Sequence, residues 1–172
     1  MGAHEDTAAR IGRGMAWAAW LLLLALLTWF FHGYLERARN PNQTVATTVE
    51  GGVPQVVLQR NRSGHYVATA LLNGVPVEVL LDTGATTVAV PEGLARELGL
   101  RFGVPLQLST ANGTATGYAT RLDSVQIGDI AVRDVAAAIN PRGREVLLGM
   151  SFLKHLEFTQ RGDTLTLRPY RD

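Results

Sequence analysis

No cysteine occurs among the 172 residues. The fold therefore cannot depend on disulfides, and a thiol nucleophile and Cys-ligated zinc are excluded with them. Net charge is equally sparse: the formal value is +1, and Arg10, Arg13, Arg37, Arg39, Arg60 and Arg62 are dispersed rather than gathered into a basic run. No nucleic-acid partner is expected, because phosphate binding needs clustered positive charge. The four histidines, His4, His32, His65 and His155, are far apart, and none stands in a His-Glu-x-x-His pattern. Neither a metal nor any other cofactor is expected from that distribution. Serine chemistry lacks its frame as well, since no Gly-x-Ser-x-Gly elbow is present.

Polar side chains are nearly missing from one stretch. From Gly14 to Phe31 the only ordinary polar side chain is Thr28, whose hydroxyl can bond back to its own helix backbone. As a helix these residues cover roughly 27 Å, close to the thickness of bilayer hydrocarbon. Trp17 and Trp20 stand toward one end, and Trp29, Phe30, Phe31 and Tyr34 toward the other, so amphipathic rings fall near both interfaces. A cleaved signal peptide fits less well, because the apolar run is long and His32 to Arg39 offers no small-x-small cleavage site. A buried core helix is disfavoured by the lack of any polar face. The expected organisation is a short N-terminal tail at 1–13, a transmembrane anchor at 14–34, a linker at 35–52 and one folded domain at 53–172. Arginines flank the span on both sides and give no charge asymmetry. The minimal tail motivates the expectation that the N-terminus is cytoplasmic and the C-terminal domain exported. Asn42-Gln-Thr44, Asn61-Arg-Ser63 and Asn112-Gly-Thr114 match the glycan acceptor pattern, which matters only in a glycosylating compartment.

Beyond the linker the pattern is of short strands. Val53 to Gln59 and Gly64 to Leu72 are β-rich, and Asn73-Gly74 supplies the positive-φ turn that joins twisted antiparallel strands. Val75 to Leu81 is the return strand, with Pro76 near its start where a missing N–H costs least. It ends at Asp82-Thr83-Gly84, so an apolar strand delivers an acidic side chain into a tight turn. Thr86 to Val90 resumes the strand pattern, and Pro91 to Leu98 predicts two helical turns with Pro91 at the tolerated first position. Val104 to Leu108, a turn at Thr110 to Thr114, Ala115 to Val125, a hairpin at Gly128-Asp129, and Ile130 to Val135 follow. Val146 to Gly149 then precedes a short helix near Ser151 to His155, and Leu156 to Thr159 and Thr164 to Leu167 flank Arg161-Gly-Asp163. Many short strands with few helices predict an all-β, closed or sandwich-like fold.

The segment Val79-Leu-Leu-Asp-Thr-Gly-Ala-Thr-Thr-Val88 resembles the active-site strand and loop of the retropepsin-like aspartic proteases. Val146-Leu-Leu-Gly-Met-Ser-Phe-Leu153 resembles the apolar strand and short helix that follow later in that fold, and Thr110-Ala111-Asn112-Gly113-Thr114 falls where its flap would be. The resemblance covers roughly Gly64 to Leu167 and is strongest to bacterial, membrane-anchored, single-lobe members. Asp-Thr-Gly alone recurs by chance; its placement after Val-Leu-Leu and ahead of a separate Leu-Leu-Gly carries the specificity.

The resemblance implies an all-β single-lobe acid protease fold with short helices after one transmembrane helix, and an aspartic-type endopeptidase that cleaves extended polypeptide. Asp82 would be catalytic, with Thr83, Gly84, Ala85 and Thr86 as the active-site loop and Leu147, Leu148 and Gly149 as its support. Hydrolysis by this route needs one carboxylate to take a proton from water and a second acid to engage the substrate carbonyl. The chain holds one such loop: Gly162-Asp163-Thr164 reverses the order, and neither Asp123-Ser124 nor Asp129-Ile130 has the triplet. A homodimer is therefore required for a complete site, and two adjacent carboxylates would share one proton. In the family the triplet threonine, here Thr83, bonds across the dimer. Ala85 lacks the hydroxyl found there in many two-lobed members, which predicts an optimum of about pH 5 to 6 rather than a strongly acidic one. The implied location is a bacterial inner membrane with the domain in the periplasm. The competing reading is a catalytically silent, membrane-tethered peptide-binding or dimerisation module of the same fold.

Overall fold

The structure is a computed structural model that describes residues 3–110 and 113–170. Its contacts divide the chain between Ala38 and Arg39.

The first unit is helical. Helix α1, Ala3–Arg39, runs through it, and its Gly12–Arg39 portion is long and apolar enough to cross a membrane by length and composition. Those 28 residues extend about 42 Å at helical rise, more than the hydrocarbon thickness. Large apolar side chains such as Trp17, Leu22, Trp29 and Phe30 are exposed all round. Thr28 Oγ1 donates to the carbonyl oxygen of Leu24 at 2.8 Å, which removes the one polar group of the run from its surroundings.

In the second unit the strands are β1 Thr47–Glu50, β2 Val53–Gln59, β3 Val67–Leu72, β4 Val75–Leu81 and β5 Val88–Pro91, followed by helix α2, Glu92–Glu97. Then come β6 Pro105–Thr110, β7 Gly113–Ile127, β8 Ile130–Asn140 and β9 Val146–Leu148, helix α3, Met150–Leu153, and finally β10 Leu156–Arg161 and β11 Thr164–Pro169. The all-β class with short helices is what the sequence pattern predicts. Pro91 is the residue that caps α2 and also ends β5, where its fixed φ and missing N–H cost nothing.

Turn chemistry sets the hairpins. Asn73 and Gly74 both have positive φ, 50° and 83°, as a two-residue turn between twisted strands requires, and β3 and β4 pair in register from Leu72↔Val75 to Val67↔Leu80. Among the described residues the strands form a seven-stranded sheet, in the order β3-β4-β9-β5-β8-β7-β6, and a four-stranded sheet, β1-β2-β11-β10. An additional pairing of β3 with β7 through Leu71↔Gln126 and Leu72↔Val125 closes the larger sheet on itself. Val56, Leu58, Leu72, Leu122, Ile127 and Ile139 fill the core between the sheets.

The segment between α1 and β2 is bound into this unit. Asn42 is buried; its Nδ2 donates to the carbonyl oxygens of Gln59 and Val67, at 2.9 and 2.6 Å, and its Oδ1 accepts from the N–H of Gln59 at 2.7 Å. All the amide's strong bonding directions but one are thereby used within the chain, leaving this acceptor asparagine no room for a glycan. Arg39 forms ion pairs with Glu78 and Glu145 at 3.0 and 3.1 Å, and β1 pairs with β2.

Candidate active site

The decisive arrangement is the insertion of β9 between β4 and β5. It runs parallel to β4, with Leu81 opposite Leu148, and antiparallel to β5, with Ala89 opposite Leu147. The connection from β4 to β5, Asp82 to Thr87, must therefore pass around the end of β9, and the turn out of β9 packs directly against it.

Backbone hydrogen bonds lock the two together. Asp82 N–H donates to the carbonyl oxygen of Leu148 at 3.2 Å, and Ala85 N–H donates back to the carbonyl oxygen of Asp82, also at 3.2 Å. Met150 and Ser151 N–H donate to the carbonyl oxygens of Ala85 and Thr86 at 2.8 and 3.0 Å. The first turn of α3 thus donates its otherwise orphan N–H groups to the loop. Gly149 makes this approach possible. A Cβ there would fall 2.4 Å from the carbonyl oxygen of Thr87 and 2.5 Å from that of Ala85, so no other residue fits. Behind it, Phe152 and Leu153 are buried in the core and fix α3.

Asp82 is partly exposed at the start of the loop. Its Oδ1 accepts from Gly84 N–H at 2.9 Å, which holds the carboxylate against its own turn and leaves Oδ2 without a hydrogen bond among the described residues. A Cβ on Gly84 would lie 3.2 Å from that same Oδ1, so a side chain there crowds the carboxylate. Thr83 is exposed and makes no hydrogen bond among the described residues. The Ala85 side chain carries no donor. Asp82 and Thr83 line a pocket of about 360 Å³ whose apolar walls include Leu81, Leu153, Phe158 and Leu165. Tyr66 lines it too, and its hydroxyl is buried without a hydrogen-bond partner among the described residues.

The expected active-site loop residues, Thr83 to Thr86, and Leu147, Leu148 and Gly149 are therefore brought together. The expected flap is separate from them: β6 and β7 pair from Pro105↔Tyr118 to Thr110↔Gly113, and Asp82 makes no hydrogen bond to this hairpin among the described residues. Gly113 has φ +98° and Thr114 opposes Ser109, while Ala111 and Asn112 at the turn lie outside the described residues. Tyr118, at the base of the hairpin, packs on Phe102 with ring centroids 5.4 Å apart, and the Arg96 guanidinium lies 5.0 Å from the Phe102 ring centre. Among the described residues no three His, Cys, Asp or Glu side chains gather into a metal-binding group.

One supporting residue gave no signal in the sequence. Ser151 is buried; its Oγ donates to the carbonyl oxygen of Ala136 in β8 at 2.6 Å and accepts from Val88 N–H at 2.9 Å. It ties the outgoing limb of the loop to α3 and β8 at once. A lone serine in Met150-Ser-Phe gives no hint of this, because its partners come from two distant segments.

Comparison with known proteins gives a consistent result. Residues 68–155 match the family described as "gag-polyprotein putative aspartyl protease". The chain is 34% identical to an uncharacterised protein from the cobV 5′ region of Sinorhizobium sp, over 92% of this chain and 75% of that one. It is 28% identical to an uncharacterised protein of Rickettsia prowazekii (strain Madrid E), over 61% of this chain and about half, 47%, of the relative. Among solved structures, a retropepsin-like aspartic protease from Rickettsia conorii superposes with a TM-score of 0.58 at 29% identity, covering 73% of this chain and 96% of that one.

Proposed function

The chain belongs to the retropepsin-like aspartic protease family, and we propose that it is an aspartic endopeptidase whose site is completed by Asp82 from each of two copies. The observation that carries this reading is the state of the loop. Asp82 stands partly exposed on a pocket, its carboxylate aimed by Gly84 N–H, while the backbone behind it is immobilised by Leu148 and by the first turn of α3. Such rigidity suits a catalytic group, which must be held within a fraction of an ångström. The chain has one Asp-Thr-Gly loop and the reaction uses two acids. Thr83, exposed and without a hydrogen-bond partner among the described residues, is then available to bond to the loop of the second copy.

In the assembled site the pair holds one proton between two carboxyl groups, because adjacent like charges resist ionising together. The ionised member takes a proton from a water molecule, whose oxygen attacks the scissile carbonyl carbon. The protonated member donates to the carbonyl oxygen as it gains charge. Transfer of a proton to the amide nitrogen then lets the C–N bond break, leaving a carboxyl group and an amine. An extended peptide is the fitting substrate, since its backbone can pair with strand edges, and the β6–β7 hairpin is the element to cover it. Helix α1 anchors the protein in a membrane, with the domain on the periplasmic side of a bacterial inner membrane, which also confines copies to a surface and raises their encounter rate.

The test is cleavage of a denatured protein or peptide library by the full chain in detergent micelles, wild type against Asp82→Asn. Turnover by the wild type alone is expected. Equal turnover by the variant would refute the assignment. A reporter fused after Asp172 checks orientation, with activity expected only outside the cytoplasm.

A further inference from the structure

Strand β3 has one edge that the sheet leaves open. It pairs with β4 along its length, but on the other side it meets β7 only at Leu71 and Leu72. Val67 to Ala70 therefore face no other strand there among the described residues. Val67, Ala68 and Ala70 are buried, and buried backbone N–H and C=O groups need partners. Without them the start of the strand would fray.

The segment that follows α1 supplies those partners. Asn42 bridges Ala68 in parallel register. Its C=O accepts from Thr69 N–H at 3.1 Å, and its Nδ2 donates to the carbonyl oxygen of Val67 at 2.6 Å. The same amide takes both backbone groups of Gln59, the last residue of β2. Gln59 belongs to the four-stranded sheet and Val67 to the seven-stranded one, so one buried side chain joins the two sheets. Asn42 is itself held in place. Its N–H donates to Asn40 Oδ1 at 2.9 Å, Asn40 Nδ2 donates to Thr69 Oγ1 at 3.3 Å, and Asn61 Nδ2 donates to the carbonyl oxygen of Arg39 at 2.9 Å. Asn40 and Asn42 are 2% and 5% exposed, which is core burial and not that of a solvated tether.

From Asn42 the path to Asp82 is short. The start of β3 lies against the end of β4: Val67 is opposite Leu80, and the carbonyl oxygen of Tyr66 accepts from Leu81 N–H at 2.9 Å. Asp82 follows directly. We propose that Asn42 is a positioning residue for Asp82, fixing the start of β3 and through it the end of β4. The segment between the apolar helix and the domain is then part of the framework of the active site. The inference rests on the reading that Asp82 is catalytic, since a reacting group must be held within a fraction of an ångström.

The test uses the full chain in detergent micelles. Asn42→Ala should speed native-state exchange of the Leu81 amide proton, read by NMR, by roughly tenfold or more. It should lower kcat by a similar factor with KM nearly unchanged, because the residue touches no substrate. Asn42→Asp keeps Oδ1 and the shape but loses both donors and sets a charge against the carbonyl oxygens of Gln59 and Val67, so it should do no better than alanine. Asn40→Ala removes the acceptor of Asn42 N–H and should give a smaller change in the same direction, which keeps the proposal testable if the Asn42 variants fail to fold. Leu167→Val, at a buried position in β11, should lower the denaturation midpoint and leave kcat alone. Unchanged Leu81 exchange in the Asn40 and Asn42 variants would overturn the proposal, and so would faster exchange with an unchanged kcat. A wild type that cuts no peptide, while Leu81 exchange still responds to Asn42, would uphold the support of the loop and overturn the catalytic reading beneath it.

Discussion

Gly149 lies so close to Ala85 that a Cβ on the glycine would stand 2.5 Å from the alanine's carbonyl oxygen. The turn out of β9 and the loop after Asp82 are thus a single packed backbone layer, and perturbing either should be felt in both.

Gly149→Ala tests this directly. Two backbone oxygens, of Ala85 and Thr87, lie within the exclusion distance, and backbone cannot swing aside as a side-chain tip can. We expect a loss of about 2 to 3 kcal/mol in stability, read from the denaturation midpoint, together with loss of turnover. A variant with unchanged midpoint would show that the layer is looser than described.

Ser151→Ala leaves Val88 N–H, in a fully buried residue, and the carbonyl oxygen of Ala136 without the hydroxyl that serves both. The expected cost is about 1 to 3 kcal/mol. Ser151→Thr keeps the hydroxyl but adds a methyl group at a buried site, so it should recover only part of the loss. Chemical denaturation of the three proteins separates the two effects, and an alanine variant as stable as wild type would discount the bridge.

Mixing wild type with Asp82→Asn tests whether two acids act as one site. With random pairing at equal amounts, about a quarter of closed twofold dimers carry two wild-type loops. Turnover should therefore fall toward that fraction as copies exchange. A fall only to one half, the result of simple dilution, would mean that each chain works alone.

Ala85→Ser adds a hydroxyl to the loop that carries Asp82, whose Oδ1 accepts from the Gly84 N–H and from no other group among the described residues. A donor to the charged form favours ionisation. The acidic limb of the pH profile of kcat/KM should accordingly move to lower pH, with the fold unchanged. A profile that does not move, or moves upward, would remove Ala85 as a determinant of the working range.

Much of the hairpin framework was legible in the chain alone. Asn73-Gly74 marks its turn because both residues must take positive φ, and the strands on either side end where polar turn residues begin. The apolar helix is visible because a continuous uncharged run needs no partner to be recognised. The linker reading was less complete: Thr47–Glu50 forms a strand and Asn42 a buried clamp, since a polar side chain satisfied by distant carbonyl groups looks no different in sequence from one facing water.

By itself, then, the sequence determined the local pieces: the long apolar helix, the turns, the acidic residue at the end of an apolar strand, and the absence of a second such loop. Only the tertiary structure decided that β9 enters between β4 and β5, that Gly149 must be glycine although its φ is an ordinary −89°, and that Ser151 and the β10 edge belong to the neighbourhood of Asp82. The physical reason is that turns and apolar runs follow from short-range sterics and solvation. Parallel pairing, close backbone approach and a shared pocket depend on which distant segments meet, and no residue carries that information alone.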